Sequence, residues 1–588
     1  MSSLLLADRL SALRQALPKL GVEGFFLPRS DEHLGEYVPA CAERLAWLTG
    51  FTGSAGLALV LPDSAAVFSD GRYQVQMRQQ VDQLVWSIEH MYETAPPVWM
   101  AEHAKGRAIG YDPRTVSIQD MEAFRKAGCR MVALNHNPVD ELWRDRPASP
   151  SSPVLIQPLK LTGWENRAKI RDIADILQQN DQDAVLLPDP TSIAWLLNIR
   201  GRDLPFLPIA LCFAILHVDE TVDLFIDPSR IGSSVSTHLG DAVRVRKLAE
   251  MPQVLKALHG RTVRLDPARC PVWFALILES VDAALAPDTD PCLMPRACKT
   301  QAELEGMRRA HLLDGIALCR FLCWLETQGI GKTEIAISDH LLALRREADS
   351  CIGPSFHTIT GTGPNAAIMH YAPTEEHCDT VQANTFLLID SGGQYNDATT
   401  DVTRTVWMGT GTPPEAWKTH YTCVLKGLIA LHSAVFPAHT HGYRLDPLAR
   451  LALWQEGLDF DHGAGHGVGS CLSVHEWPLG FTRRPVLDPI CEHMVLTNEP
   501  GFYAPGSHGI RLENQMETCL AHRTETGDML CFKTLTLAPI DQRSIAPSRL
   551  TDAERDWLND YHAEVLARIG PHLAAEEYTW LEHACRKL

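Results

Sequence analysis

The sequence predicts an α/β multidomain protein, with two tandem α/β domains followed by an α+β domain built on a bent antiparallel sheet. Three observations predict it. One plan recurs over the first ~300 residues, a long helical pattern begins at Lys299, and alternating apolar runs with glycine-rich turns occupy Ser355 to Thr536.

The first copy starts with the amphipathic string MSSLLLADRLSALRQAL, expected to be a helix. Its four-residue apolar run has no basic segment before it and is followed by Asp8 and Arg9, so it fails as a signal peptide. The copy continues with VEGFFLP to Pro28, RLAWLTGFTGSAG around Trp47, SAGLALVLPDSAAVFSD, and IGYDP to Pro113. The second offers a helix from Glu165 to Gln179, DAVLLPDP with Pro188, SIAWLLNIRG around Trp195, IALCFAIL, VDLFIDPSR, and VRLDP to Pro267. From the first proline to the Asp-Pro aspartate is 84 residues in one copy (Pro28 to Asp112) and 78 in the other (Pro188 to Asp266). Apolar runs of this length bounded by Pro, Asp and Gly suit buried strands, and helical periodicity separates them.

The second copy is expected to end near Pro295, and KTQAELEGMRRAHLLDGIALCRFLCWLE opens the third domain as a helix. In that domain NTFLLIDSGGQYNDATTDVTRTVWMG reads as a hairpin. After Ser548 the chain turns polar and helical, with Trp557, Leu558, Tyr561 and Val565 at helical spacing. The expected division is 1–157, 158–298, 299–545 and a helical appendage at 546–588.

At 588 residues and 45% hydrophobic composition the chain can bury a large core. A net charge of -19 without any block of Lys or Arg argues against nucleic acid and anionic membranes. The longest purely apolar run, Ile209 to Leu216, is far below the ~18 to 20 residues that span a bilayer. Sixteen cysteines scattered from Cys41 to Cys585 without a CxxC pair are expected to be reduced thiols of a soluble cytoplasmic protein.

Five residues of metal-binding type stand in the order D-D-H-E-E within 124 positions: Asp390, Asp401, His466, Glu499 and Glu513. Four converging carboxylates without a cation would repel one another and take up protons, so the set makes sense around bound metal. Asp390 ends the apolar run FLLI, and a turn with Gly392, Gly393 and Asn396 can bring Asp401 to the same site. His466 lies in DHGAGHGVG, whose small residues let the backbone come close to an ion or substrate. Glu499 precedes Pro500 after VLTN, and in GIRLENQ, Ile510 and Leu512 face one way while Arg511 and Glu513 face the other. One His with four carboxylates is an oxygen-rich set that suits Mn, Co or Fe and accepts Zn. Three further histidines, His370 in AIMHYAP, His462 and His475 in SVHEWP, suit proton handling near a hydrolytic metal centre.

In residue type, order and local string these motifs resemble the pita-bread metallopeptidases, the superfamily of methionine aminopeptidase, prolidase and aminopeptidase P. Two large N-terminal α/β units exclude the methionine aminopeptidases. DEHLGEYVPACAERLAWLTGFTGSAGLALVLPDSAAVFSDGRY and the tail element WLNDYH are similar to the cytosolic three-domain Xaa-Pro aminopeptidases, from about Leu10 to the end. The resemblance implies two creatinase-type N-terminal α/β domains before a pita-bread catalytic domain. It implies that Asp401 and Glu513 bridge two divalent ions, most simply Mn2+, that Asp390 chelates one, and that His466 and Glu499 serve the other. It further implies Glu499, His370 and His475 as catalytic groups and His462, Val474, His475, Tyr503 and Arg511 as the proline pocket. The implied activity is release of the N-terminal residue from Xaa-Pro-Yaa peptides through a hydroxide shared by the two ions, in a homodimer. Prolidase activity on Xaa-Pro dipeptides is the near alternative, and a metal-free binding module on the same fold the distant one. One departure is HEWP, where Trp477 stands in place of the expected glycine beside His475.

Overall fold

The computed structural model describes residues 3–588 and divides by internal contacts into one unit of 1–159 with 164–293 and another of 160–163 with 294–588. The expected N-terminal helix is present as α1 (Ser3–Ala16), with the first two residues of that string outside the described ones.

The first unit holds two six-stranded sheets. Strands β1 (Gly24–Pro28), β2 (Leu57–Val60), β3 (Ala65–Ser69), β4 (Ser87–His90), β5 (Ala108–Tyr111) and β6 (Arg130–Ala133) stand in the order β4-β3-β2-β1-β5-β6. After α2 (Asn166–Gln179) come β7 (Ala184–Leu187), β8 (Phe213–His217), β9 (Val222–Phe225), β10 (Val243–Arg246), β11 (Thr262–Leu265) and β12 (Ala284–Pro287), in the order β10-β9-β8-β7-β11-β12. The plan is the same twice. In each sheet the first strand pairs antiparallel with the second and parallel with the fifth. The unbroken apolar runs follow from burial on both faces. In β1, Phe25 and Leu27 enter one core with Leu10 and Leu13 of α1, while Phe26 enters another with Trp99 and Phe124.

The second unit opens with α3 (Gln301–Gln328), capped by Thr300, whose hydroxyl accepts from the Glu303 amide while the Glu303 carboxylate accepts from the Thr300 amide. α4 (Glu334–Arg345) follows. A three-stranded sheet contains β13 (Cys351–Pro354), and another contains β14 (Ile359–Thr362) and β15 (Thr385–Ser391). The expected hairpin is more elaborate than a single turn. Between β15 and its antiparallel partner lie β16 (Gly393–Tyr395), which pairs with β13 in the first of these sheets, and β17 (Ala398–Thr399), which pairs with β16, before β18 (Val402–Met408) returns along β15.

Helices α5 (Glu415–His432) and α6 (Asp446–Trp454) precede the largest sheet. With β19 (Phe436–Pro437), β20 (Gly465–Gly467), β21 (Glu476–Phe481), β22 (Val495–Asn498), the separate hairpin β23 (Gly501–Ala504) and β24 (His508–Arg511), then β25 (Asn514–Thr524) and β26 (Gly527–Thr534), the sheet order is β19-β26-β25-β22-β20-β21. The tail forms α7 (Asp552–Ile569) and α8 (Ala575–Ala584). Leu558, Tyr561, Val565 and Leu581 join the core formed by α5, α6 and the large sheet, so the tail packs on its own domain.

Candidate metal centre

Strand register explains how two aspartates eleven residues apart reach one face. Asp390 pairs with Thr403 across β15 and β18, and Asp401 stands two residues before Thr403, on the same side. Leu387 and Ile389 point the other way, into the core under α3 and α4. The turn admits no side chain at Gly392, where a Cβ would sit 1.9 Å from the Thr400 carbonyl oxygen and 2.0 Å from Ser355 Oγ. Glu513, between β24 and β25, is pinned to β18 by its amide, which donates to the Thr403 carbonyl at 3.1 Å. Thr403 Oγ1 in turn donates to Glu513 Oε2 at 2.7 Å. Glu499, just beyond β22, donates its amide to the Ala464 carbonyl at 2.9 Å.

His466 is not in a free glycine loop but inside β20. Its glycine neighbours are required by strand contact: a Cβ on Gly465 would lie 2.1 Å from the Thr497 carbonyl oxygen, and one on Gly467 would lie 2.5 Å from that of Glu476. The imidazole Nδ1 meets the Gly467 carbonyl at 3.0 Å. A carbonyl only accepts, so Nδ1 carries the proton and Nε2 presents a lone pair. That nitrogen lies 3.5 Å from both Asp401 Oδ2 and Glu499 Oε1. Asp401, His466 and Glu513 each offer a ligand atom within 4.8 Å of the others.

The carboxylates are buried and crowded. Burial, then the charges of Asp390 and Glu499, push Asp401 well above the usual carboxylate range. Burial and Asp401 do the same to Glu513, and burial raises Glu499 against the opposing pull of His466 and Arg511. Asp390 Oδ1 and Glu513 Oε1 are buried oxygens without a hydrogen-bond partner among the described residues. Unpaired buried oxygens, mutually repelling carboxylates and an imidazole lone pair fit a divalent cation centre, because cations relieve all three costs together.

A polar chain runs from this centre toward the predicted proline pocket. Arg511 Nη2 donates to Asp390 Oδ2 at 2.5 Å, its Nε to Thr403 at 3.3 Å, and its Nη1 to the Tyr503 hydroxyl at 2.6 Å. The Tyr503 hydroxyl meets His462 Nε2 at 2.9 Å, and His462 Nδ1 meets the Gly463 carbonyl at 2.6 Å. Nδ1 therefore carries the proton, and the phenol donates to Nε2. Val474 is buried, and the His475 ring stands perpendicular to that of His466 with centroids 4.4 Å apart. His370 is half-buried, three residues beyond the turn Gly363–Ala367. That turn presses on β24, where a Cβ at Gly509 would lie 1.7 Å from the Ala366 carbonyl oxygen.

Several supporting residues had no sequence signal. The Asp401 amide donates to the side-chain oxygen of Gln515, which also meets His311 of α3. Glu476, beside His475, is buried against Lys299 and Arg296. Arg345 donates to Asp314 at 2.7 Å and to the Ser391 carbonyl at 3.4 Å, behind Asp390. Their partners lie far apart in sequence, so only the fold reveals them. Thr403 alone was accessible, as the alternate residue after Asp401 in DVTRT.

Residues 305–518 match the Metallopeptidase family M24, and 528–588 match the C-terminal region of peptidase M24. Residues 9–142 and 145–303 each match the Creatinase/Prolidase N-terminal domain. The chain is 36% identical to a probable Xaa-Pro aminopeptidase P of Ajellomyces capsulatus and 37% identical to one of Coccidioides posadasii, with 98% of each chain covered. It superposes on the X-prolyl aminopeptidase of Caenorhabditis elegans, described as a cytosolic enzyme with a di-nuclear active site, with a TM-score of 0.94, 35% identity, and 99% and 100% of the two chains covered. A prolidase of Pyrococcus horikoshii shares the fold over 63% of this chain at 24% identity and a TM-score of 0.50. The chain belongs to the Xaa-Pro aminopeptidase P family of M24 metallopeptidases, with two creatinase-type N-terminal domains and a pita-bread domain.

Proposed function

We propose that this chain is a metal-dependent aminopeptidase that removes the N-terminal residue from peptides with proline in second position. The observation that carries this reading is the meeting of Asp401, His466 and Glu513 within 4.8 Å, beside a polar chain of Arg511, Tyr503 and His462. Asp390, Asp401, His466, Glu499 and Glu513 would hold two divalent cations, and the oxygen-rich donor set favours Mn2+. When bound, the cations supply Lewis acidity to the scissile carbonyl and lower the pKa of water toward ~7.

The side chains divide the remaining work. Glu499 accepts the proton of the attacking water and returns it to the leaving proline nitrogen, which must be protonated to depart. His475 donates a ring N–H to the oxygen that becomes negative on the former carbonyl, and His370 assists at the carbonyl side. Val474 supplies an apolar wall for the pyrrolidine ring, with His462, His475, Tyr503 and Arg511 around it. Since proline offers no N–H, such a pocket selects by shape and by fixed polar edges. Arg511 is committed to Asp390 and Tyr503, so it acts by holding those two groups in place.

Among the described residues no helix is long and apolar enough to cross a membrane. The cytosolic description of the nematode enzyme supports a cytoplasmic assignment here. A homodimer is assigned on family likeness, and light scattering tests it. A panel of Xaa-Pro, Xaa-Pro-Yaa and Xaa-Ala-Yaa peptides, with Mn2+ added and removed, tests the activity. The expected result is metal-dependent cleavage of Xaa-Pro-Yaa alone, whereas strict preference for Xaa-Pro dipeptides would replace this reading with prolidase.

A further inference from the structure

The antiparallel register of β25 and β26 sets Cys519 directly opposite Cys531, with the two Sγ atoms 3.4 Å apart. The Cys519 thiol also reaches the Cys531 carbonyl oxygen at 3.8 Å. Directly opposed residues of such a pair have Cα atoms about 4.5 to 5.5 Å apart, inside the span of about 4.4 to 6.8 Å that a disulfide requires. A bond between these sulfurs therefore needs a turn of the two side chains and no change of register.

Strand alternation decides which side of the sheet the pair occupies. Leu530 and Phe532, on either side of Cys531, are buried in the core of the second unit, so Cys531 faces outward with the exposed Lys533. Cys519 and Cys531 are both only partly buried, and residues 521–528, at the end of the hairpin beyond them, are all exposed. The register slips between Leu520 and His522, so the strands are held in step up to the sulfurs and loosen just after them. Cys212, Cys270 and Cys319, in contrast, are enclosed in the interior, out of reach of a dissolved oxidant.

The charges beside the sulfurs favour an anionic reagent. Lys533 stands directly across from Glu517, two positions along both strands from the cysteines, and the Glu517 carboxylate is already held by Arg308 of α3 at 2.7 Å. These three groups leave a net positive charge there, on a chain whose net charge is -19. Burial and the hydrogen bond with Cys531 hold Cys519 up to about 12, so it is a thiol at neutral pH.

We propose that Cys519 and Cys531 are a modification site, at which small anionic disulfides of the glutathione class close a cross-strand disulfide. One cysteine of the pair loses its proton to water and, as thiolate, attacks a sulfur of oxidised glutathione. That S–S bond breaks, and one glutathione leaves as thiolate and takes a proton from water. The other cysteine then loses its proton to water and attacks the protein sulfur of the mixed disulfide, whose second glutathione leaves and is protonated in the same way. Two protein thiols become one disulfide while one oxidised glutathione becomes two thiols.

The test treats the full-length, metal-loaded protein with oxidised glutathione at neutral pH, blocks the remaining thiols with iodoacetamide, and maps tryptic peptides by mass spectrometry without reduction. Trypsin cuts after Arg511, Arg523 and Lys533, which puts Cys519 in peptide 512–523 and Cys531 in peptide 524–533. In the wild type these two peptides should be joined. Cys519→Ser and Cys531→Ser should each keep a glutathione adduct on the cysteine that remains, and should either variant fail to fold, the wild-type map decides alone. In Lys533→Glu, the rate of closure by oxidised glutathione relative to that by neutral hydroxyethyl disulfide should fall several-fold. Lasting glutathione adducts on both cysteines of the wild type, alkylation of both while other cysteines are oxidised, or an unchanged rate ratio in Lys533→Glu would overturn the proposal.

Discussion

Loading the metal centre should expel protons. In the metal-free protein Asp401 and Glu513 are both pushed well above the ordinary carboxylate range, Asp401 by burial and the charges of Asp390 and Glu499, Glu513 by burial and the charge of Asp401, and Glu499 is raised as well. A carboxyl raised in the folded state contributes stability that is complete below its unfolded pKa and is lost as pH rises toward its folded pKa. Each such group therefore costs the metal-free fold about 1.4 kcal/mol per pH unit across that window, or about 2.7 kcal/mol per unit for Asp401 and Glu513 together. Cations reverse this by replacing the protons, so apparent affinity should rise about a hundredfold per pH unit while both protons are displaced. Calorimetric titration of metal-free protein with Mn2+, in buffers of different ionisation enthalpy, counts the protons released. About two per chain are expected at mildly acid pH, below the range in which a metal-bound water ionises. Thermal unfolding should also show loaded and metal-free protein diverging as pH rises above the ordinary carboxylate range. Release near zero, with parallel unfolding curves, would refute the reasoning that these carboxylates share one desolvated site.

Two substitutions probe the scaffold. Arg511→Met removes the buried partner of Asp390, and in metal-free protein it should cost about 3 to 5 kcal/mol by urea unfolding; a loss under about 1 kcal/mol would show that the pair is solvated. Gly392→Ala forces a Cβ into the Thr400 carbonyl and Ser355, so it should cost at least about 1 to 3 kcal/mol and lower bound metal per chain, as read by elemental analysis; wild-type metal content and stability would mean that the turn between Asp390 and Asp401 yields freely.

The residues that meet at the candidate centre, Asp401, His466 and Glu513, were legible because each sits in a local string whose pattern constrains its direction. Alternation placed Glu513 and Arg511 opposite Ile510 and Leu512, and the latter two do enter the core. The repeat in the first 300 residues was legible because apolar runs buried on both faces recur at nearly the same spacing. The reason for the glycines around His466 was not: they were expected to admit a ligand, and at Gly465 and Gly467 the close neighbour is the adjoining strand. Arg511 was placed at a proline pocket on resemblance, while its hold on Asp390, 121 residues away, is a matter of tertiary structure. The same applies to Glu476, buried beside His475 by Lys299, 177 residues earlier in the chain. Long-range ion pairs leave no periodic trace in a sequence, so the groups that brace the site were invisible while those that line it were not.

The most direct test of a two-cation peptidase is one titration with two readouts. Metal-free protein receives Mn2+ in steps while bound metal and hydrolysis of an Xaa-Pro-Yaa peptide are followed together. The account predicts release of the N-terminal residue that rises from background to a plateau at two ions per chain, and Glu499→Ala that stays at background throughout. Full hydrolysis in the absence of bound metal, or two bound ions with no hydrolysis, would contradict it.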